Sequence, residues 1–189
     1  MITTLDLETT TKKDDKGKYR PEPYLGNKLV SAGWQSEYKY NSIDVTNARY
    51  VCFYHTEQPP SEGAFEDLQE DLSKTRLLIA HNAKFELSWL RACGFEYNGP
   101  VFCTMLTEYI LARGEKMSFK LEHTLPRYDL EPKRVDLTQD YLKDGIGFDQ
   151  MPWEVVEEYG RADVGRTWEL ALAQCERLNC DIERFAQCP

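Results

Sequence analysis

The sequence predicts an α/β domain in which a mixed sheet is flanked by helices. Three observations carry that expectation. Short apolar runs with strand character dominate the first half. Segments with apolar residues at helical spacing interleave with them and then take over. The breaks between the segments hold Gly, Pro, Asn and Asp, the usual turn residues.

Residues 2–7 form an apolar run that reads as a buried strand. Residues 11–27 are polar, with Lys12, Lys13, Asp14, Asp15, Lys16, Gly17 and Lys18 followed by Pro21 and Pro23, which predicts an exposed loop or hairpin tip. Residues 28–38 and 50–54 read as the second and third strands. Apolar spacing over 64–72 predicts a helix, and Leu77-Leu78-Ile79 within 76–80 predicts another strand. Residues 83–93 read as a helix opened by Asn82 as its N-cap. Residues 101–113 and 118–127 read as further helices. Residues 129–153, with Pro132, Gly145, Gly147 and Pro152, read mostly as loop. Residues 154–178 predict a long C-terminal helix despite Gly160 and Gly165. The chain shows no internal repeat and no second domain, so 1–189 is expected to form one unit.

Composition narrows the function. The 41% hydrophobic and 12% aromatic content fits a folded globule. No apolar run reaches the roughly 18 residues a membrane span needs, and residues 1–5 carry no signal-peptide core, so cytoplasmic residence is expected. Cys52, Cys93, Cys103, Cys175, Cys180 and Cys188 make no Cys-x-x-Cys pair, which argues for free thiols rather than a zinc site. His55, His81 and His123 are isolated, so histidine catalysis is not expected. The net charge of −9 conflicts with direct nucleic-acid binding. It fits if part of the acidic excess holds divalent cations that face phosphates.

Three motifs carry chemistry. Asp6-Leu7-Glu8 ends the first strand. Alternation along a strand puts Asp6 and Glu8 on one face and Leu7 on the other. Two oxygen donors so placed suit a hard divalent cation, and ligand sites gather at strand C-terminal ends. The second motif is Asn82-Ala83-Lys84-Phe85-Glu86, which sets an acid in the first turn of a helix. The third is Tyr159-Gly160-Arg161-Ala162-Asp163, with a phenol and a carboxylate four residues apart on one helix face. Each alone reads as an ordinary solvated surface. Their order changes that.

In this order the motifs resemble those of the DEDD superfamily of 3′→5′ exonucleases, in the branch whose third motif carries tyrosine. No His lies near Asp163, which argues against the sister branch. More narrowly, the chain resembles the proofreading exonuclease domain of bacteriophage-type family A DNA polymerases. Residues 27–33, 104–111, 118–121 and Arg127-Tyr128 add to the likeness, which runs from residue 1 to about residue 172.

The resemblance implies a ribonuclease H-like fold and hydrolysis of DNA 3′ ends with two divalent ions, Mg²⁺ or Mn²⁺. It implies that Asp6 bridges both ions, that Glu8 and Asp163 complete the first, and that Glu86 holds the second. Tyr159 and Glu8 would orient the attacking water. Thr9, Asn82 and Phe85 would touch the terminal nucleotides, and Lys84 would steady a phosphate. One position departs from the pattern: the family's second motif ends in aspartate, and Glu86 stands there, longer by one methylene. Cys103 also stands where an acid often precedes the next helix.

The expected substrate is a single-stranded or frayed DNA 3′ end. A separate DNA polymerase subunit is the expected partner, since 189 residues leave no room for a polymerase domain. A stand-alone nuclease and an excised domain are the other arrangements. Two further readings are an exoribonuclease of the same fold and a catalytically weakened nucleic-acid-binding or polymerase-docking module. Lys133-Arg134 is a weak candidate for phosphate contact. Trp34, Trp89, Trp153 and Trp168 read as packing residues rather than base platforms.

Overall fold

A computed structural model describes residues 1–36 and 47–187. The predicted second strand therefore ends, at Tyr38, outside the described residues. The first strand, β1 (Ile2–Thr9), is central and longer than its apolar run. A two-stranded hairpin follows, β2 (Lys12–Lys13) and β3 (Tyr19–Arg20), held at its tip by Asp14 and Arg20 at 3.0 Å. This is the exposed tip predicted from the lysine-rich segment. The sheet then takes β4 (Leu29–Gln35) and β5 (Arg49–Cys52). Helix α1 (Ala64–Lys74) leads into β6 (Leu77–Ala80), and α2 (Ala83–Ala92) follows.

Two segments differ from the sequence expectation. Residues 101–103 are not the first turn of a helix; they form strand β7 (Val101–Cys103) beside β6, and helix α3 starts only at Thr104–Leu111. Val101 and Phe102 favour a pleated surface, and a free edge of β6 was there to be paired. The segment read as loop contains α5 (Val135–Lys143), after a short α4 (Leu121–Thr124) and a 3-10 turn over Leu125–Tyr128. Its apolar and half-apolar residues recur at helical spacing, but the flanking Pro132 and Gly145 masked it. The chain closes with α6 (Trp153–Arg177) and a 3-10 turn at Ile182–Gln187.

The five strands lie in the order β5-β4-β1-β6-β7. β4 runs antiparallel to both β1 and β5, while β1, β6 and β7 are mutually parallel. The alternation along β1 assigns the two faces. Leu5 and Leu7 pack with Leu68 and Leu72 of α1 and Trp89 and Leu90 of α2. On the opposite face Leu77, Ile79 and Phe102 pack with Trp168, Ala171 and Cys175 of α6. Asp6 and Glu8 thus point away from the α1–α2 core and toward α6. Trp34, Trp89 and Trp168 are buried, and Trp153 packs 5.7 Å from the Tyr50 ring.

Two glycines let α6 come near: a Cβ at Gly33 of β4 would stand 2.8 Å from the Tyr50 ring and 3.1 Å from Val164 of α6. A Cβ at Gly160 would stand 2.3 Å from the Tyr50 ring, so the ring of β5 fits against the helix only because none is there. This contact brings the Tyr159–Asp163 turn down onto the end of β1. The five described cysteines are free thiols, and among the described residues no helix is long and apolar enough to cross a membrane.

Candidate active site

The site is built at the C-terminal end of β1. Because Asp6 and Glu8 are two residues apart in a strand, they share a face. The β1–β4 register shifts between Glu8 and Thr9, a bulge that ends regular pairing beside the acids. From the opposite side α6 supplies Asp163, which is fully buried, and Tyr159 one turn earlier, which is 6% exposed. Carboxylate oxygens of Asp6, Glu8 and Asp163 all lie within 4.8 Å of one another.

Glu86 reaches the same place from α2. Since β6 runs parallel to β1, the helix that follows β6 starts at the same end of the sheet. Glu86 is 3% exposed and lies outside the tight three-acid set, but the charges of Asp6 and Glu8 act on it. The turn before it differs from expectation. Asn82 occupies the cap position in a left-handed conformation (φ 66°), and its side chain makes no cap hydrogen bond. Asparagine tolerates that backbone because its short polar side chain costs little there. The Cys103 thiol does the capping instead: it accepts from the amides of Ala83 at 3.4 Å and of Leu106 at 3.5 Å, so one sulfur serves the starts of both α2 and α3. His81 braces the same turn through Nδ1 and the Thr104 hydroxyl at 2.8 Å, and burial and the Lys133 charge lower its pKa to about 4.

The electrostatics are those of crowded, desolvated acids. Burial and then the Asp163 charge push Asp6 up to about 7. Burial and the Asp6 charge hold Glu8 and Glu86 well above the usual carboxylate range. Burial raises Asp163 too, against the pull of Lys133. Asp6 Oδ2, Glu86 Oε2 and Asp163 Oδ1 are buried without a hydrogen-bond partner. Native proteins rarely leave such oxygens bare. Hard acidic oxygens converging this closely, with lone pairs unused, fit divalent cations well.

The remaining predicted residues are placed less centrally. Thr9 is buried at the strand end. Phe85 packs against the core, with its ring 6.5 Å from Trp89. Lys84 is exposed on α2. Three residues near the acids were not anticipated in that role. Tyr50 donates or accepts a 2.7 Å hydrogen bond with Ser31, and its phenol is raised by burial and then by the charge of Glu8. Phe148 lies 5.6 Å from the Tyr159 ring. Lys133 sets its Nζ 2.5 Å from Asp163 Oδ2 and 4.8 Å from the centre of the Tyr159 ring. Only the charged Lys133-Arg134 pair had any signal in the sequence, and it pointed to phosphate rather than to an acid.

Residues 39–173 match the 3′-5′ exonuclease domain of the DNA polymerase A family. The chain belongs to this exonuclease family. The matched segment contains Glu86, Tyr159 and Asp163; Asp6 and Glu8 precede it, and the geometry above is what joins them to it. A DNA polymerase of Bacillus phage SP01 is 32% identical over 109 residues, which are 54% of this chain and 11% of the polymerase. The chain thus matches about a tenth of that protein's length.

Solved structures share the exonuclease fold at low identity. One, described as the apo form of a nuclease, aligns with a TM-score of 0.63 and 19% identity over 99% of this chain and 78% of its own. Exonuclease X in complex with 5′ overhanging duplex DNA aligns at 0.54, with 16% identity and 98% of both chains covered. NrnC of Brucella melitensis with bound Mg²⁺ aligns at 0.52, with 17% identity over 99% of this chain and 79% of that one. The fold is the ribonuclease H-like mixed sheet with flanking helices that the sequence resemblance implied.

Proposed function

We propose that residues 1–189 form one exonuclease unit that removes nucleotides from the 3′ ends of single-stranded or frayed DNA. The observation that carries this reading is the meeting of Asp6, Glu8 and Asp163 within 4.8 Å in a member of a 3′-5′ exonuclease family. Asp6, Glu8, Asp163 and Glu86 would hold two divalent ions, Mg²⁺ or Mn²⁺. Such ions supply the charge that activates water and stabilises the leaving 3′ oxygen. Glu8 accepts a hydrogen bond from the attacking water, and the Tyr159 hydroxyl, kept protonated because burial and the Asp163 charge raise its pKa, fixes its direction. Thr9, Asn82 and Phe85 line the approach of the terminal nucleotides, and Lys84, exposed on α2, meets the backbone phosphates.

DNA rather than RNA is favoured by the likeness to a phage DNA polymerase. The same likeness supports a proofreading role beside a separate DNA polymerase. Trimming of matched 5′-labelled DNA and RNA oligonucleotides tests the substrate. A Mn²⁺-dependent ladder on DNA is expected; a ladder on RNA alone would make the protein an exoribonuclease. No ladder on either, from folded protein at high concentration, would leave a silent docking module. Capture of a polymerase by the tagged protein in its native host tests the partner.

Glu86 makes a sharper test. Its carboxylate feels Asp6, and shortening it by one methylene withdraws it from that neighbour. A displacement of about 1 Å can cost ~10²-fold in rate. Glu86→Asp is therefore expected to lower kcat by up to about 10²-fold with little change in folding. Faster trimming by this variant would show that the longer side chain is a handicap.

A further inference from the structure

Among the described residues, Lys133 is the one cation that forms an ion pair with the acidic cluster. It lies between the 3-10 turn and α5, and its side chain is 19% exposed. No other Lys or Arg among the described residues forms an ion pair with Asp6, Glu8, Glu86 or Asp163. A lysine so enclosed is costly unless its charge is answered. Here it is answered from two sides: Asp163 at 2.5 Å and the Tyr159 ring from α6, and the charges of Asp6 and Glu8 from β1. His81, across the site, is kept neutral by burial and by this same charge.

The position creates a conflict. Asp163 Oδ2 is answered only by the ion pair with the ammonium, while Asp163 Oδ1, Asp6 Oδ2 and Glu86 Oε2 have no hydrogen-bond partner. An ammonium and a divalent ion cannot share the Asp163 carboxylate at contact distance without strong mutual repulsion. Yet without any cation the four acids would repel one another in a site where Asp163 and Glu86 are buried and Asp6 and Glu8 are half-buried.

We infer that Lys133 is a built-in counter-ion of the acid cluster: it neutralises and holds Asp163 in the metal-free protein, and it competes with divalent metal for that carboxylate. This rests on the proposed metal-dependent function. Lys133 is a positioning residue in this scheme, acting on the reaction through Asp163 and Tyr159. The purpose is physical. The cage keeps its shape while empty, and metal enters by displacing a charge already present rather than by assembling scattered acids.

The test is Mn²⁺ titration calorimetry with thermal unfolding in EDTA, on wild type, Lys133→Met and Lys133→Arg. Lys133→Met keeps an unbranched side chain that ends one atom short of the ammonium and removes the charge. It is expected to bind Mn²⁺ on the order of tenfold more tightly, the scale on which groups beside a metal site alter its affinity. It should also unfold at lower temperature in EDTA and gain more from Mn²⁺ than wild type gains. Lys133→Arg, which keeps the charge, should bind Mn²⁺ within a few-fold of wild type. A Lys133→Met protein that folds only with Mn²⁺ present supports the inference as well. Folded Lys133→Met that binds Mn²⁺ no more tightly than wild type overturns it, and so does Lys133→Arg binding as tightly as the methionine variant. Failure of the underlying function looks different: wild type itself then binds no Mn²⁺ and trims no DNA.

Discussion

Asp6→Asn is expected to lower 3′ trimming by at least 10²–10³-fold, about the loss that follows removal of one group stabilising transition-state charge, while raising the unfolding temperature of the metal-free protein. The two effects have one cause. Asp6 sits against Glu8, Asp163 and Glu86, and burial with the Asp163 charge lifts its pKa to about 7 although Lys133 pulls the other way. At pH 8 the folded metal-free protein therefore carries a charge it would be more stable without. Asparagine has nearly the same shape and no charge. It relieves the repulsion and takes away a ligand together. Single-turnover trimming of a 5′-labelled strand measures the first effect, and thermal unfolding in EDTA at pH 8 the second. An Asp6→Asn protein that unfolds below wild type in EDTA would mean the acids are not in net conflict.

The metal-free protein is expected to lose stability as the pH rises from 6.5 to 8.5, and saturating Mn²⁺ is expected to reverse that slope. A carboxyl whose pKa is raised on folding binds its proton more tightly in the folded state. Its stabilising contribution is complete below the unfolded pKa and disappears as pH climbs through the folded one. For Asp6 that span runs from 3.8 to about 7, and Glu8 and Glu86, lifted well above their ordinary 4.5 by burial and the Asp6 charge, act in the same sense. His81 works in the opposite sense: its pKa falls from 6.5 to about 4, so its contribution grows as pH rises through that interval and is constant above it. The carboxyls are thus read cleanly only above pH 6.5. Each one still protonated there contributes about 1.4 kcal/mol per pH unit. Metal binds only the deprotonated ligands, which turns the dependence around. Chemical unfolding at three pH values, with EDTA and with Mn²⁺, measures both slopes. A flat profile in EDTA would contradict the crowding of these acids.

The parts of the site that were legible in the sequence share one property: local geometry determines them. Asp6 and Glu8 share a face because a strand alternates, and Tyr159 and Asp163 share one because a helix turns every 3.6 residues. Glu86 was placed at a helix start by its distance from Asn82. The misreadings have the same root. Asn82 was assigned a capping side chain from residue type, but the cap comes from Cys103, about twenty residues away and brought there by β7. Val101 and Phe102 favour a pleated surface, but three residues are too short a run to show it against the helix that follows, and the open edge of β6 made them a strand. α5 was hidden by the proline and glycines around it, and packing against α6 is what holds it.

The sequence by itself determined most of the sheet-and-helix order, though not β7 or α5, and the three acidic motifs and their family, because these depend on periodicity and on residues close together in the chain. Only the tertiary structure decided what surrounds the acids. Gly160 and Gly33 let α6 descend onto Tyr50 and β4, and that close approach carries Asp163 to Asp6 and Glu8. Lys133 reaches Asp163 across thirty residues of chain, and Phe148 and Tyr50 close the sides. Charge and burial act through space, so which groups share a desolvated pocket, and which cation answers them, is set by packing and leaves no periodic trace in the chain.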